Sequence, residues 1–136
     1  MAKHPQLILL VESDLGNYSL LRDYLNAHGY VTATVSTAAA AREFLQQVRP
    51  NLILLDLMLP DETGLALLRW LRYEEMLCSI PIIVQTAPVL THEQIMLRQL
   101  GATAVLTKPY SLSSLAQTIQ SLLPVSNGQR PLYLTS

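Results

Sequence analysis

The chain has 136 residues, about one domain's worth at roughly 150 residues per domain, with 9 basic and 10 acidic side chains for a net charge of −1. Apolar residues make up 50%, which excludes a disordered chain, and the even charge balance lacks the basic face that nucleic-acid wrapping needs. One cysteine, Cys78, excludes an internal disulfide framework and a cysteine-based zinc cluster.

His4, His28 and His92 lie far apart and show no ligand spacing. No apolar run approaches the ~20 residues of a membrane span, and Leu7 to Val11 is too short for a signal segment. The expected setting is cytoplasmic.

Leu7 to Val11 reads as a strand buried on both faces. Glu12, Ser13 and Asp14 follow, suited to a helix start. Leu15, Leu20, Leu21, Tyr24 and Leu25 recur at helical spacing up to His28, and Gly29 is the stop. Tyr30 to Val35 is a second strand. Ser36-Thr37 caps a helix through Ala41, Phe44, Leu45 and Val48, ended by Pro50. Leu52 to Leu55 is a third strand, closed by Asp56. A loop to Thr63 and Gly64 precedes a helix with Leu65, Leu68, Trp70, Leu71 and Arg72. Ile82 to Val84 is a fourth strand, running out through Gln85, Thr86 and Ala87. Thr91 is expected to cap a fourth helix to Leu100, stopped by Gly101. Ala104 to Thr107 is a fifth strand, closed by Lys108-Pro109. Leu112, Leu115, Ile119, Leu122 and Leu123 form the stripe of a fifth helix. Residues 1–123 are expected to form the domain and 124–136 a tail, with no output domain.

Five βα units predict an α/β fold: a doubly wound parallel sheet with helices on both faces. Ligands of such sheets sit at the carboxyl ends of the strands. The polar residues there are Glu12, Ser13 and Asp14, then Asp56, Thr86 and Lys108. Carboxylates, a hydroxyl and a lysine at one edge suit phosphoryl transfer to a carboxylate, which needs in-line positioning and cations around the phosphoryl oxygens. A lysine supplies one cation, and Mg²⁺ held by oxygen donors supplies another.

The fragments Val11-Glu12, Leu54-Leu55-Asp56-Leu57-Met58-Leu59-Pro60, Gly64-Leu65, Pro81 to Ala87, Gly101-Ala102 and Thr107-Lys108-Pro109-Tyr110 stand in order with the right gaps. Over residues 6–123 the chain resembles the receiver domain of two-component response regulators. The resemblance implies a flavodoxin-like (βα)5 sheet with strand order 2-1-3-4-5. It makes Asp56 the phosphoacceptor, Thr86 the switch hydroxyl and Lys108 the phosphate-binding lysine, with a cis Lys108-Pro109 bond. It assigns Glu12, Asp56 and the Met58 backbone carbonyl to Mg²⁺. The implied partners are a histidine kinase or phosphotransfer protein, and an effector protein meeting the fourth helix, fifth strand and fifth helix. Neither an enzyme in its own right nor a nucleic-acid or membrane binder is expected.

Three positions depart from the resemblance. Ser13 stands where the second acid of the metal pair belongs, so weak Mg²⁺ binding is expected. A slip by one residue would put Asp14 there, but the Glu12-to-Gly29 spacing fits the family without a gap. Thr63 replaces a loop aspartate, and Val105 replaces the aromatic residue that moves with Thr86.

Other readings stand beside these. Asp56 is also a residue that can bond a turn amide, Glu12 and Lys108 can be solvated charges, and Thr86 can bond backbone. Ser13 and Asp14 read as helix caps, Trp70 and Tyr73 as packing or surface residues, and Cys78 as inert. A pseudo-receiver that binds partners without phosphorylation is the competing function, and Ser13 and Val105 would mark its lost chemistry. No G-x-x-x-x-G-K-[ST], G-x-G-x-x-G or G-x-S-x-G occurs, which disfavours a nucleotide or hydrolase fold, and no Ser/Thr/Gly-rich loop follows the first strand, which disfavours a flavin binder of the same topology.

Overall fold

The apolar runs at 7–11, 52–55 and 82–84 become strands because the middle of a parallel sheet covered on both faces has no place for alternating polar residues, whereas Val31–Val35, with Thr32 and Thr34, lies partly exposed at the sheet edge. In a computed structural model describing residues 5–123, the strands are β1 (Leu7–Val11), β2 (Val31–Val35), β3 (Leu52–Asp56), β4 (Ile82–Thr86) and β5 (Ala104–Thr107). The helices are α1 (Leu15–Ala27), α2 (Ala38–Leu45), α3 (Gly64–Tyr73), α4 (Thr91–Gln99) and α5 (Leu112–Leu122). The sheet order is β2-β1-β3-β4-β5, and every pairing is parallel. The expected fold class and strand order are both present. The expected tail, 124–136, lies outside the described residues.

Strand alternation divides the core into two layers. Leu9, Val11, Ile53, Leu55, Ile82 and Val84 pack with Ala41, Leu67, Leu68, Leu71 and Leu97 from α2, α3 and α4. Ile8, Leu10, Leu52, Leu54 and Ile83 pack with Leu21 and Leu25 of α1 and Leu115 and Ile119 of α5. By the same parity Asp56 and Gln85, which face each other in register, belong to the α1/α5 side. Glu12 and Lys108 continue that parity past the ends of β1 and β5.

The ends of several elements differ from the sequence expectation. Leu15 and Leu20 were expected in the apolar stripe of α1, but they are 63% and 55% exposed, and only Leu21 and Leu25 are buried there. The stripe at 21 and 25 is one i,i+4 ridge, and Leu15 and Leu20 fall outside it. Strand β2 begins at Val31, because the N–H of Tyr30 is still bonded to the Leu25 carbonyl. Helix α2 ends at Leu45, short of Val48, since Gln47 and Val48 both donate to Phe44 and tighten the last turn. Thr91 is the first residue of α4, not its cap. Leu90 holds the cap position, and the Glu93 carboxylate accepts from the Leu90 N–H at 2.9 Å. Thr37 caps α2 as expected, accepting from Ala40 N–H. Gly29 (φ +92°) and Gly101 (φ +122°) turn the chain after α1 and α4 in a region that L side chains avoid. No helix among the described residues is long and apolar enough to cross a membrane.

Candidate functional site at the strand ends

The carboxyl ends of β1, β3, β4 and β5 meet around two buried carboxylates. Glu12 is 1% exposed and Asp56 3%. The order 2-1-3 puts β1 beside β3, so Glu12, which follows Val11, comes level with Asp56, which follows Leu55. Lys108 reaches across from the end of β5: its Nζ is 2.9 Å from Asp56 Oδ2 and 3.8 Å from Glu12 Oε1. The peptide bond that follows it, Lys108-Pro109, is cis, as the resemblance implied.

Asp56 uses its two oxygens differently. Oδ2 takes the lysine, and Oδ1 accepts from the Met58 N–H at 2.9 Å. The turn-amide reading of Asp56 is therefore correct for one oxygen, alongside the charge pair on the other. The loop after Asp56 folds back tightly, and Gly64 N–H donates to the Leu57 carbonyl. A Cβ at Gly64 would meet the Asp56 carbonyl oxygen and the Leu57 Cα, both at 2.7 Å. Only glycine allows that approach. Thr63 caps α3 through Ala66 N–H, which gives this departure from the family pattern a structural use.

Glu12 is tied from several sides. Oε1 accepts from the Asn17 amide at 2.7 Å and the Gln85 amide at 3.0 Å, and Oε2 accepts from Asp14 N–H at 3.1 Å. Burial, and next the adjoining Asp56 carboxylate, push the Glu12 carboxyl above its usual range, while the Asp14 N–H and Asn17 amide act in the opposite sense. The reading of Glu12 as a solvated strand-end charge is excluded by its burial. Lys108 is likewise no free surface lysine, with its side chain 35% exposed and its ammonium on Asp56.

Ser13 and Asp14 divide the roles expected of them jointly. Asp14 caps α1 through Asn17 N–H at 3.0 Å. Ser13 does not cap; its hydroxyl donates toward the Met58 carbonyl at a long 3.4 Å. Thr86 is buried at 7%, its carbonyl accepts from Lys108 N–H at 2.7 Å, and its hydroxyl makes no hydrogen bond among the described residues. The reading of Thr86 as a hydroxyl bonded to backbone is thus not met. Val105 pairs with Val84 and packs in the α2/α3/α4 layer.

Three participants escaped the sequence reading: Asn17, Gln85 and Tyr110. Gln85 is fully buried, and the Tyr110 hydroxyl donates to its Oε1 at 2.6 Å. Strand parity offered the signal, since a glutamine two residues after Ile83 faces the α1/α5 layer and must find partners there. Trp70 lies under Arg42 (5.4 Å), and Tyr73 is 88% exposed, which matches the packing and surface readings.

The family pattern described as the response regulator receiver domain matches residues 8–120. The chain belongs to this family. The receiver is 34% identical over 119 residues to the polar-differentiation response regulator DivK of Brucella anthropi, covering 88% of this chain and 97% of that one. It superposes on the signal receiver domain of a signal transduction histidine kinase from Syntrophus aciditrophicus with TM-score 0.82 and 31% identity, covering 92% of this chain and 95% of that one. A third similar structure is the receiver domain of the Pseudomonas aeruginosa sensor histidine kinase PA1611, with a magnesium ion coordinated in its active-site cleft. That match has TM-score 0.79 and 29% identity, and covers 88% of this receiver and 98% of that chain. Receivers are signalling modules of two-component systems.

The oxygen donors in this receiver fit a hard divalent cation. Two adjoining carboxylates with one lysine between them leave negative charge concentrated in a buried place, and Mg²⁺ takes one or two carboxylates and keeps several waters. No cluster of three metal-binding acids, histidines or cysteines exists among the described residues, consistent with a serine at position 13.

Proposed function

We propose that this receiver accepts a phosphoryl group on Asp56 from a histidine kinase or phosphotransfer protein and passes the change to a partner protein. The observation that carries the proposal is the Lys108 ammonium on Asp56 Oδ2, with the Glu12 carboxylate alongside. An Asp56 oxygen attacks phosphorus, the phosphorus–nitrogen bond of the donor phosphohistidine breaks, and an acyl phosphate forms while the imidazole leaves. Lys108 exchanges its carboxylate partner for a phosphoryl oxygen. Thr86, with its hydroxyl uncommitted, is placed to bond another. Glu12, Asp56 and the Met58 carbonyl would hold Mg²⁺, which when bound neutralises phosphoryl charge. Ser13 contributes a hydroxyl where an acid would contribute a full charge, so metal binding is weak. Leu15 and Met58, 63% and 75% exposed, offer apolar contacts to a donor protein beside the site.

The effector surface is assigned to α4, β5 and α5. From Ser111 to Leu123 there is no charge, and α4 exposes Leu90, Ile95 and Met96 at its start and middle. The receiver unit is taken as residues 1–123, acting in the cytoplasm.

Incubation with acetyl phosphate or phosphoramidate and Mg²⁺, followed by intact mass, tests the proposal. One added phosphate that disappears in Asp56→Asn supports it. No adduct at any Mg²⁺ concentration rejects it in favour of a pseudo-receiver, the reading to which Ser13 and Val105 point.

A further inference from the structure

A chain of buried and partly buried hydrogen bonds leaves the acid site toward the start of α5. Gln85 is fully buried in a strand whose neighbours, Ile82 to Val84, are apolar. A buried amide is costly unless both its ends are paired, and here both are. Its Nε2 donates to Glu12 Oε1 at 3.0 Å, and its Oε1 accepts from the Tyr110 hydroxyl at 2.6 Å. The chemistry of the ends fixes the amide's orientation. A carboxylate only accepts, so it faces the NH₂ group, and the phenol then meets the carbonyl oxygen as donor. Burial, and then the charges of Glu12 and Asp56, raise the Tyr110 phenol above its usual range and keep it a donor. On its other side Glu12 Oε1 takes the Asn17 amide at 2.7 Å.

We infer that Gln85 and Tyr110 act in series as positioning residues for Glu12, and that Tyr110 registers what Glu12 holds. The inference rests on the proposed metal role of Glu12. Two amides converging on Oε1 restrict where that carboxylate can point, and such outer partners commonly govern the affinity of a metal ligand. A cation drawing on the Glu12 carboxylate changes what Gln85 bonds to, and Gln85 holds the Tyr110 hydroxyl at its other end. Tyr110 is two residues past Lys108 and one before Ser111, the cap of α5. Occupancy of the acid site thus reaches α5 through side chains on the α1/α5 layer, by a path that bypasses Val105 on the opposite layer.

The test titrates wild type, Gln85→Leu, Tyr110→Phe and the double variant with Mg²⁺ by calorimetry. Tyrosine-ring resonances are followed in parallel, with Tyr110 assigned from its absence in Tyr110→Phe, and thermal melts record folding. The expected result is a loss of affinity of about tenfold in Gln85→Leu. Tyr110→Phe loses less, and the double variant loses no more than Gln85→Leu, because the residues act in series. The Tyr110 ring signal moves on Mg²⁺ addition in wild type and stays still in Gln85→Leu. Unchanged affinity in both single variants overturns the inference, whatever happens to their melting temperatures. Losses that simply add, or a Tyr110 signal indifferent to Mg²⁺ in wild type, also overturn it. If Gln85→Leu fails to fold, Tyr110→Phe decides: equal Mg²⁺ affinity overturns the inference and weakened affinity supports it. A wild type that binds no Mg²⁺ and takes no phosphate overturns the proposed function, and this inference with it.

Discussion

Arg72 in α3 is clamped to Gly101, the residue that closes α4. Its Nε and Nη2 donate to the Gly101 carbonyl at 2.9 and 2.6 Å, and Nη1 donates to the carbonyls of Cys78 and Ile80 at 2.9 and 2.8 Å. One guanidinium thereby ties together α3, the segment before β4 and the turn before β5. A Cβ at Gly101 would lie 2.5 Å from Arg72 Cγ, and the backbone there has φ +122°. Gly101→Ala is expected to destabilise the fold by about 2 kcal/mol or more, from backbone strain and a displaced arginine. Arg72→Ala is expected to cost about 2–3 kcal/mol by stripping donors from these carbonyls, and it also removes the Cγ that an alanine at position 101 would meet. In the double variant the losses should be less than additive, since the alanine no longer collides with the arginine. Urea unfolding of the four proteins measures this, and strict additivity would contradict the clamp.

Glu12 makes the site a local cost to stability. Its folded pKa lies above the 4.5 of a free carboxyl, so between those two values the folded state holds a proton that the unfolded state has released. Stability therefore falls as pH rises through that window and levels off above it. Glu12→Gln removes the fall. The variant should gain on wild type as pH rises through that window, on top of a pH-independent cost from an amide NH₂ that faces a donor where an oxygen accepted, while Mg²⁺ binding weakens. Melting curves across pH check the sign; a variant that loses ground to wild type as pH rises through the window would refute it.

Asp61 shows the opposite sign. Its two oxygens accept from Ala38 N–H and Ala39 N–H, both at 2.9 Å, so a residue of the β3–α3 loop caps α2. Those bonds lower its pKa below 3.8. Its stabilisation is complete above the unfolded value and is lost as pH falls through the lower folded one. Asp61→Ala should lower the melting temperature at neutral pH and make little difference in strong acid. An equal deficit at both extremes would show that the charge is irrelevant to the cap.

Ser13→Asp restores a charge at the rim of the metal site. Affinity for hard cations rises with the number of charged oxygens, so Mg²⁺ should bind about tenfold tighter. Phosphorylation of Asp56 should proceed at lower Mg²⁺. Calorimetric titration of both proteins decides it. Equal affinities would mean that Glu12, already buried against Asp56, replaces the missing acid in full.

Contacts on α4, β5 and α5 should depend only weakly on salt, because screening acts on charges: α5 has none, and α4 brings only Arg98 and Glu93, the latter already bonded to the Leu90 N–H. Pull-down or calorimetry with the effector at low and high salt tests this. A tenfold weakening at high salt, or contacts mapped to the opposite face, would remove the assignment.

The local sequence already determined the strands, the helices and the polar residues at their junctions. Runs such as Leu52 to Leu55 are too apolar for any place but a doubly covered sheet, and Asp56, Thr86 and Lys108 follow such runs directly. Order and spacing then carried the resemblance to receivers. The partners of each side chain were decided only by the tertiary structure. Leu15 and Leu20 are leucines at helical spacing, yet burial depends on which ridge of α1 the sheet meets, and it meets the ridge of Leu21 and Leu25. Ser13 and Asp14 are adjacent and alike as caps, but only Asp14 faces the Asn17 N–H, while Ser13 turns toward the Met58 carbonyl 45 residues away. Gln85 and Tyr110 stood inside the fragments that carried the resemblance, but with no role of their own; they became a pair because β4 and β5 are neighbours and strand parity aims Gln85 at the layer that holds Glu12. Hydrogen bonds between residues distant in sequence depend on register and layer, and those are properties of the assembled sheet.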